Sequence, residues 1–233
     1  MDMTEVNLLI EQLRKNGEQA QETLKGTETS QVSDRGWTKR LERSGIYRRF
    51  WKCSFDEMDG SRMNPEIRKE FDRVKNYAAH FHDYEKKGIG LILIGPVGTM
   101  KTSLAVAVGQ NLLKRGKSVM FIPMAELFDN LIRMSRQKDP TEFMRFENRL
   151  KETSLLILDD LGTEYPGDWI RNKVDAIISY RYNNLKPICI TTNLLPGELE
   201  SRYRERVYDR LKGSSIVVSV AAGSQRRVPE EIY

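Results

Sequence analysis

The stretch from Gly95 to Thr102, which reads GPVGTMKT, constrains the fold of this chain more than any other feature. It follows an apolar run, Gly90–Ile94, and precedes a helical pattern of apolar residues. A strand, a glycine-bearing loop, Lys-Thr and a helix in that order are typical of a phosphate-binding loop. Glycines let backbone N–H groups turn toward phosphate oxygens, and the helix dipole favours the same anion. The sequence therefore predicts an ATP site in front of a helix that begins at residue 101.

Individual residues of this loop have predicted functions. Lys101 would reach the β- and γ-phosphates of ATP, and the hydroxyl of Thr102 would bind Mg²⁺. Met100 departs from the usual pattern, in which glycine precedes the lysine, and its bulk predicts weaker nucleotide binding or slower turnover. The residues predicted to contact the nucleotide are Gly95, Pro96, Val97, Gly98, Thr99, Met100, Lys101, Thr102 and Ser103.

A second, acidic motif lies farther along the chain. The segment 153–160 reads TSLLILDD, an apolar run that ends in two carboxylates. A strand that is buried on both faces has such a continuous apolar run. At its end Asp159 would hold Mg²⁺ through water, and Asp160 would orient the attacking water. Alone, this pair is equally typical of a solvated turn after a core strand, but the phosphate-binding loop upstream favours the nucleotide site.

Composition limits the class of protein. The chain has 233 residues, enough for one α/β domain with a small appendage, and a net charge of +5, which is compatible with nucleic-acid binding without requiring it. No apolar run is long enough to span a membrane, and the N-terminal residues do not resemble a signal peptide, so a cytoplasmic location is expected. Cys53 and Cys189 are far apart in sequence, which argues against a zinc module, and Cys189 is predicted to be a core residue.

Apolar periodicity predicts that strands and helices alternate along most of the chain. The predicted strands cover residues 89–94, 118–122, 153–160, 187–192 and 215–220. The predicted helices cover 64–86, 101–114, 124–137, 140–151, 167–183 and 196–211. Such alternation indicates an α/β fold, with a parallel sheet that carries helices on both faces.

The N-terminal part of the chain has a different pattern. Residues 3–25 have the apolar spacing of an amphipathic helix, and residues 26–36 are polar, as in a linker. The predicted organisation is therefore a helical arm with its linker, 1–45, followed by an ATPase domain, 46–233. A short arm of this kind is typical of a docking element for a partner, with disorder as the alternative.

Basic and aromatic residues are interleaved between residues 35 and 52. The basic residues are Arg35, Lys39, Arg40, Arg43, Arg48, Arg49 and Lys52, and the aromatic residues are Trp37, Tyr47, Phe50 and Trp51. This mixture can follow a phosphate backbone and stack on bases. In the alternative, which we favour, the segment is a charged linker whose aromatic side chains pack on the following domain.

Polar and basic residues near the later strands complete the candidate site. Asn193, or Thr192 beside it, ends the fourth predicted strand and could bind the attacking water or the γ-phosphate. A cap on the following turn is an equally good explanation of Asn193. The spacing of Arg202, Arg206 and Arg210 predicts that they share one helix face. Such a face is usually solvated and salt-bridged, although an arginine can also reach the γ-phosphate of a neighbouring subunit.

With these motifs in order, residues 45–228 resemble the DnaC/DnaI helicase loaders, a family of AAA+ ATPases, and the related IstB transposition helpers. The matching segments are FWKCSFDEM, GPVGTMKTSLAVA, GKSVMFIPMAELFDNL, LLILDDLGTE, ICITTNL, ERVYDRL and AGSQRR. The resemblance implies a five-stranded sheet in the order 5-1-4-3-2 and ATP held at a junction between subunits. It also implies that Asn193 is the sensor-1 residue, Arg210 the arginine finger with Arg206 as the fallback, and Arg226 the sensor-2 arginine.

Three functions follow as hypotheses. The first is an ATP-dependent loader that binds a DnaB-like hexameric replicative helicase and single-stranded DNA, with weak ATPase activity unless subunits assemble as a homo-oligomer. The second is an IstB-like transposition helper that remodels duplex DNA. The third, suggested by Met100, is a nucleotide-binding adaptor with little turnover. Trp169, Arg171 and Lys173 are candidate DNA contacts, for which an ordinary surface helix is the alternative.

Overall fold

The computed structural model of the chain describes residues 34–58, 63, 65–137, 139–162, 168–203 and 205–220. The strands are β1 (Gly90–Ile94), β2 (Val119–Pro123), β3 (Leu155–Leu161), β4 (Ile188–Thr192) and β5 (Ser215–Ser219). The helices are α1 (Asp34–Ser44), α2 (Pro65–Ala79), α3 (Phe81–Lys86), α4 (Lys101–Lys114), α5 (Met124–Ser135), α6 (Thr141–Glu152), α7 (Asp168–Asn183), α8 (Pro196–Arg202) and α9 (Glu205–Gly213). A short 3-10 turn covers Arg48–Phe50.

The strands form one parallel five-stranded sheet in the order β2-β3-β4-β1-β5. This is the predicted order, 5-1-4-3-2, read from the opposite edge. Ile92 in β1 pairs with Ile190 in β4 on one side and with Val217 in β5 on the other. Because all strands point the same way, the loops after β1, β3 and β4 meet at one end of the sheet.

The continuous apolar runs of the strands account for the core. Every residue of β1 and β4 is buried, as is Leu155–Asp159 of β3. On one side of the sheet, Leu104–Val108 of α4 is almost wholly buried, and Cys189 in β4 is fully buried, as predicted. The other side carries a cluster of apolar residues from α5 to α9. Within the described residues, no helix is both long and apolar enough to cross a membrane.

Two predicted helices are each divided in the structure. The helix predicted over 64–86 is interrupted at His80, and Tyr77 and Phe81 on either side of the break are both buried, with their rings 6.0 Å apart. The helix predicted over 196–211 is interrupted at Tyr203, whose backbone is extended (φ −102°, ψ 151°). The side chain of Tyr203 at this break is buried in the same apolar cluster as Leu199.

The N-terminal prediction is tested only in part. The helix predicted over residues 3–25 lies outside the described residues. The predicted linker, 26–36, extends too far, since α1 already begins at Asp34. The chain divides into two units, Met1–Thr38 and Lys39–Tyr233, and only residues 34–38 of the first are described. The boundary between an arm, 1–45, and an ATPase domain, 46–233, stays a prediction.

The segment Ile46–Cys53, here called the strap, packs on the α/β domain. The rings of Tyr47 and Phe50 lie 5.8 Å and 6.3 Å from that of Phe121 in β2. The indole N–H of Trp51 donates a 2.9 Å hydrogen bond to the carbonyl of Ile46. These contacts favour the interpretation that the aromatic residues of the basic segment are packing residues.

Candidate nucleotide-binding site

The loop between β1 and α4 has the backbone of a phosphate-binding loop. A Cβ on Gly95 would lie 2.1 Å from the carbonyl oxygen of Val220, so only glycine fits there. Met100, which directly precedes α4, has left-handed backbone angles (φ 68°, ψ 11°). This conformation is the reason that loops of this kind usually carry glycine before the lysine. Met100 thus keeps the fold of the loop at a cost of about 1–2 kcal/mol of backbone strain.

Lys101 is buried inside this loop, with 5% of its surface exposed. Its Nζ donates hydrogen bonds of 2.8 Å and 2.7 Å to the carbonyl oxygens of Gly95 and Pro96. The hydroxyl of Thr99 also donates to the Pro96 carbonyl, at 2.9 Å. The ammonium group is therefore already held at the position where a phosphate would meet the N-terminus of α4.

Asp159 connects the loop to the end of the sheet. Its Oδ1 accepts hydrogen bonds from the hydroxyls of Thr102, at 2.9 Å, and Thr191, at 2.6 Å. Burial raises the pKa of Asp159, and the neighbouring carboxylate of Asp160 acts in the same direction, while the two hydroxyls and the charge of Lys101 oppose it. A cation at this point would therefore relieve a buried carboxylate that is costly to ionise.

Asp160 and Asn193 complete the polar side of the site. Asp160 is exposed, has a positive φ of 56°, and donates its backbone N–H to Thr191 Oγ1 at 2.9 Å. The side-chain oxygen of Asn193 is buried and has no hydrogen-bond partner within the described residues. It is therefore available to a ligand or to a water beside one. The Thr192 hydroxyl instead donates to the carbonyl of Leu161 at 2.7 Å, so Asn193 is the better candidate of the two.

These groups surround one cavity of about 410 Å³, which is within the usual range for small-molecule sites. The lining residues are Arg49, Phe50, Val97, Gly98, Thr99, Met100, Lys101, Thr102, Ser103, Asp159, Asp160 and Asn193. Gly95 and Pro96 contribute the carbonyls that bind Lys101. Sequence reasoning missed Arg49 and Phe50, which the strap brings to the cavity, and Thr191, which holds Asp159.

The site suits magnesium without being a complete metal cage. Thr102 and Asp159 supply the oxygen ligands that hard cations prefer. Among the described residues, no group of three or more His, Cys, Asp or Glu side chains could hold a metal ion. Magnesium commonly keeps several waters and binds through one or two carboxylates together with phosphates, so a sparse donor set fits it.

The predicted arginines of α8 and α9 are not among the residues that line this cavity. Arg210 in α9 donates to the hydroxyl of Ser179 and lies over the ring of Tyr182, 5.5 Å from its centroid. Arg206 is exposed. The prediction that Arg202 shares a helix face with them is wrong, since Arg202 ends α8 before the break at Tyr203. Arg226 lies outside the described residues, so its sensor-2 assignment stays a prediction.

The sheet order, the loop after β1 and the acidic pair of β3 define a P-loop nucleotide-binding protein of the AAA+ class. Residues 72–230 match the family described as IstB-like ATP binding protein, and the chain belongs to that family.

Its relatives include helicase loaders. The chain is 30% identical over 195 residues to the replicative helicase loader DnaC of Buchnera aphidicola subsp. Acyrthosiphon pisum, covering 80% of this chain and 74% of the relative. It is 26% identical over 181 residues to DnaC of Escherichia coli strain K12, covering 77% and 71%. A crystal structure of the DnaC helicase loader superposes with a TM-score of 0.65 at 28% identity, covering 74% of this chain and 99% of that one.

Proposed function

We propose that this protein is an ATP-dependent loader of a hexameric replicative helicase, which binds both the helicase and single-stranded DNA. One observation carries the proposal: Lys101, Thr102, Asp159, Asp160 and Asn193 surround a single cavity in a chain whose relatives are named replicative helicase loaders. The named relatives favour the loader over the transposition helper, whereas the nucleotide site itself is compatible with both.

The residues of the cavity have distinct tasks in this proposal. Lys101 and the N-terminal N–H groups of α4 would bind the phosphates of ATP, and Thr102 and Asp159 would hold Mg²⁺. When bound, Mg²⁺ neutralises charge on the phosphate oxygens. Asp160, exposed toward the cavity, would orient the attacking water, and the unpaired amide oxygen of Asn193 would accept a hydrogen bond from that water.

Hydrolysis is proposed to depend on assembly. Arg210 does not line the nucleotide cavity of its own chain, so a part in catalysis requires the site of a neighbouring subunit. An arginine finger accelerates phosphoryl transfer about 10³–10⁵-fold in well-studied cases. The isolated subunit should therefore hydrolyse ATP slowly, and the rate should rise with protein concentration.

Mixing two inactive variants tests this arrangement. Lys101→Ala should lose nucleotide binding but keeps Arg210. Arg210→Ala keeps an intact nucleotide cavity but lacks the proposed arginine finger. A mixture should recover activity that neither variant shows alone, because some junctions pair an intact cavity with an intact Arg210. Arg206→Ala, at an exposed position on the same helix, tests the fallback assignment and should keep its activity if Arg210 is the finger. Undiminished turnover by Arg210→Ala alone would exclude the proposed contact.

The loader function is tested with the replicative helicase of the source organism. The full chain with ATP and Mg²⁺ should form a complex with the helicase and increase the amount of helicase bound to closed-circular single-stranded DNA. Lys101→Ala should fail in this loading. If the chain binds a transposase and duplex DNA but not the helicase, the transposition-helper function is correct. If it binds ATP tightly and leaves the nucleotide uncleaved under all conditions, the adaptor function is correct.

A further inference from the structure

The strap carries a cation to the nucleotide cavity that neither the phosphate-binding loop nor the acidic motif supplies. Arg49 lines the cavity together with Lys101, and these are the cationic residues of its lining. We propose that Arg49 is a second phosphate-binding cation of this site and contacts the phosphate chain of the bound nucleotide. The inference rests on the proposed ATP site and adds a residue from outside the core sheet to it.

The strap fixes the backbone on both sides of Arg49. The side-chain amide of Gln110 in α4 donates hydrogen bonds of 2.9 Å and 3.2 Å to the carbonyl oxygens of Phe50 and Trp51. The ring of Phe50 contacts that of Phe121, and Tyr47 at the start of the strap donates to Glu126 at 2.5 Å. Gln110 is almost fully buried, so this connection is protected from water. The main chain at Arg49 is thus part of the rigid site.

Arg49 is placed near the end of the cavity that would hold phosphate. Burial raises the pKa of the Cys53 thiol, whereas a hydrogen bond with the Ser103 side chain and the charge of Arg49 lower it. Arg49 and Ser103 are therefore both neighbours of Cys53, and both line the same cavity. Ser103 is in the first turn of α4, where unpaired backbone N–H groups favour anions. This proximity favours phosphate, rather than the base alone, as the partner of Arg49.

The guanidinium of Arg49 contacts an aromatic ring rather than a described carboxylate. Arg49 forms no ion pair with any described residue, and its guanidinium lies over the ring of Phe50, 5.4 Å from the centroid. This cation–π contact leaves the N–H groups at the edge of the guanidinium available. The planar guanidinium matches phosphate oxygens in a bidentate geometry that lysine does not offer. Arg49 therefore presents to the cavity a guanidinium that is not paired with any described carboxylate.

The neighbouring residue provides a matched control. Arg48 belongs to the same 3-10 turn but does not line the cavity. Its side chain is 84% exposed, lies 4.0 Å from the carboxylate of Glu42, and stacks 5.6 Å from the Trp51 ring. Removal of the charge of Arg48 therefore changes the net charge of the strap as much as removal of that of Arg49, but leaves the cavity unchanged.

The experiment compares Arg49→Gln and Arg48→Gln with the wild-type full chain. Dissociation constants for ATP, ADP, AMP and adenosine with Mg²⁺ are measured by calorimetry at several salt concentrations. Arg49→Gln should bind ATP about tenfold to a hundredfold more weakly, with a smaller salt dependence, because one charge-assisted contact is lost. Adenosine affinity should be unchanged. Arg48→Gln should stay within about twofold of wild type for every ligand, since exposed pairs contribute little.

The outcomes separate this inference from the proposed function. If wild type binds ATP and Arg49→Gln binds it equally well, the inference is overturned while the loader proposal stands. An equal loss for adenosine and ATP would assign Arg49 to the base and also overturn it. If the wild-type chain binds no nucleotide, both the proposed ATP site and the assignment of Arg49 are overturned. Arg49→Lys keeps the positive charge but lacks the bidentate guanidinium, so it should recover part of the ATP affinity. This recovery would show that the loss in Arg49→Gln is not due to misfolding.

Discussion

The hydroxyl of Thr191 donates a 2.6 Å hydrogen bond to Oδ1 of Asp159, which joins the acidic end of β3 to the adjacent strand β4. The same hydroxyl oxygen accepts the backbone N–H of Asp160 at 2.9 Å. Thr191 is fully buried and has both hydrogen-bonding functions satisfied. It is therefore a positioning residue that fixes the side chain of one acidic residue and the backbone of the next.

Thr191→Val should destabilise the protein by about 1–3 kcal/mol, because the isosteric side chain leaves the N–H of Asp160 without a partner. Mg²⁺-dependent ATP binding should weaken as well, since Asp159 loses the contact that orients it. Chemical unfolding and calorimetry measure the two effects. Thr191→Ser keeps the hydroxyl and should retain most of the binding. Equal stability and binding in Thr191→Val would show that the hydrogen bonds are dispensable.

Asp159→Asn should stabilise the nucleotide-free protein at neutral pH while abolishing Mg²⁺-dependent ATP binding. The folded state raises the pKa of this carboxyl, so folding opposes its ionisation, and a neutral amide avoids that penalty. Each kcal/mol gained corresponds to a rise in melting temperature of about 2–4 °C for a chain of this size.

The pH dependence of this difference follows from the raised pKa of Asp159. A carboxyl whose pKa is higher in the folded state stabilises the fold below its unfolded pKa, and this contribution is lost as pH rises through the folded value. The advantage of Asp159→Asn over wild type should therefore shrink as the pH is lowered. Thermal unfolding from neutral pH down to about pH 4, the ordinary pKa of an aspartate side chain, measures it. A constant difference across this range would contradict the assignment.

Met100→Gly should relieve the left-handed strain at the end of the loop. Since glycine also increases the freedom of the unfolded chain, the net stabilisation is about 1 kcal/mol or less. Affinity for ATP should increase if the methionine side chain obstructs the phosphates. Met100→Ala separates the two effects, because it removes the bulk but retains the strained Cβ. We expect both variants to bind ATP more tightly and only Met100→Gly to be more stable than wild type. If neither variant binds ATP more tightly, the methionine side chain does not obstruct the phosphates.

Arg181→Met should destabilise the protein by about 3 kcal/mol without a direct effect on the nucleotide site. Arg181 is fully buried, and burial lowers its pKa to about 10. It donates to the carbonyl oxygens of Leu150, Lys151 and Pro187, which links the end of α6 to the start of β4. Chemical unfolding measures the loss, with Arg133→Met at an exposed position as the control. A loss below about 0.5 kcal/mol would show that these carbonyls find other partners.

The sequence was sufficient for the sheet and for the central residues of the site. Continuous apolar runs indicate strands that are buried on both faces. A glycine-bearing loop that ends in Lys101-Thr102 is typical of the turn between a strand and a helix. The parallel order of the sheet was available only through family resemblance, because periodicity does not specify which strands are neighbours.

Contacts between distant segments were not predictable in the same way. The pairing of Thr191 with Asp159 depends on the register between β3 and β4, and the position of Arg49 depends on Gln110 binding the strap. The break at Tyr203 was missed because helical spacing continues through it, while the side chain is drawn into the core. Local patterns therefore predicted the central residues of the cavity, and tertiary contacts determined which further residues surround them.

Lys101 binds the carbonyl oxygens of Gly95 and Pro96, and this arrangement has a thermodynamic consequence. A phosphate that enters the loop competes with the protein's own backbone for the ammonium group. Measured affinity thus reports an exchange of partners rather than the full strength of a lysine–phosphate contact. In return, the loop keeps its shape without a nucleotide, so that an incoming phosphate meets a site that is already assembled.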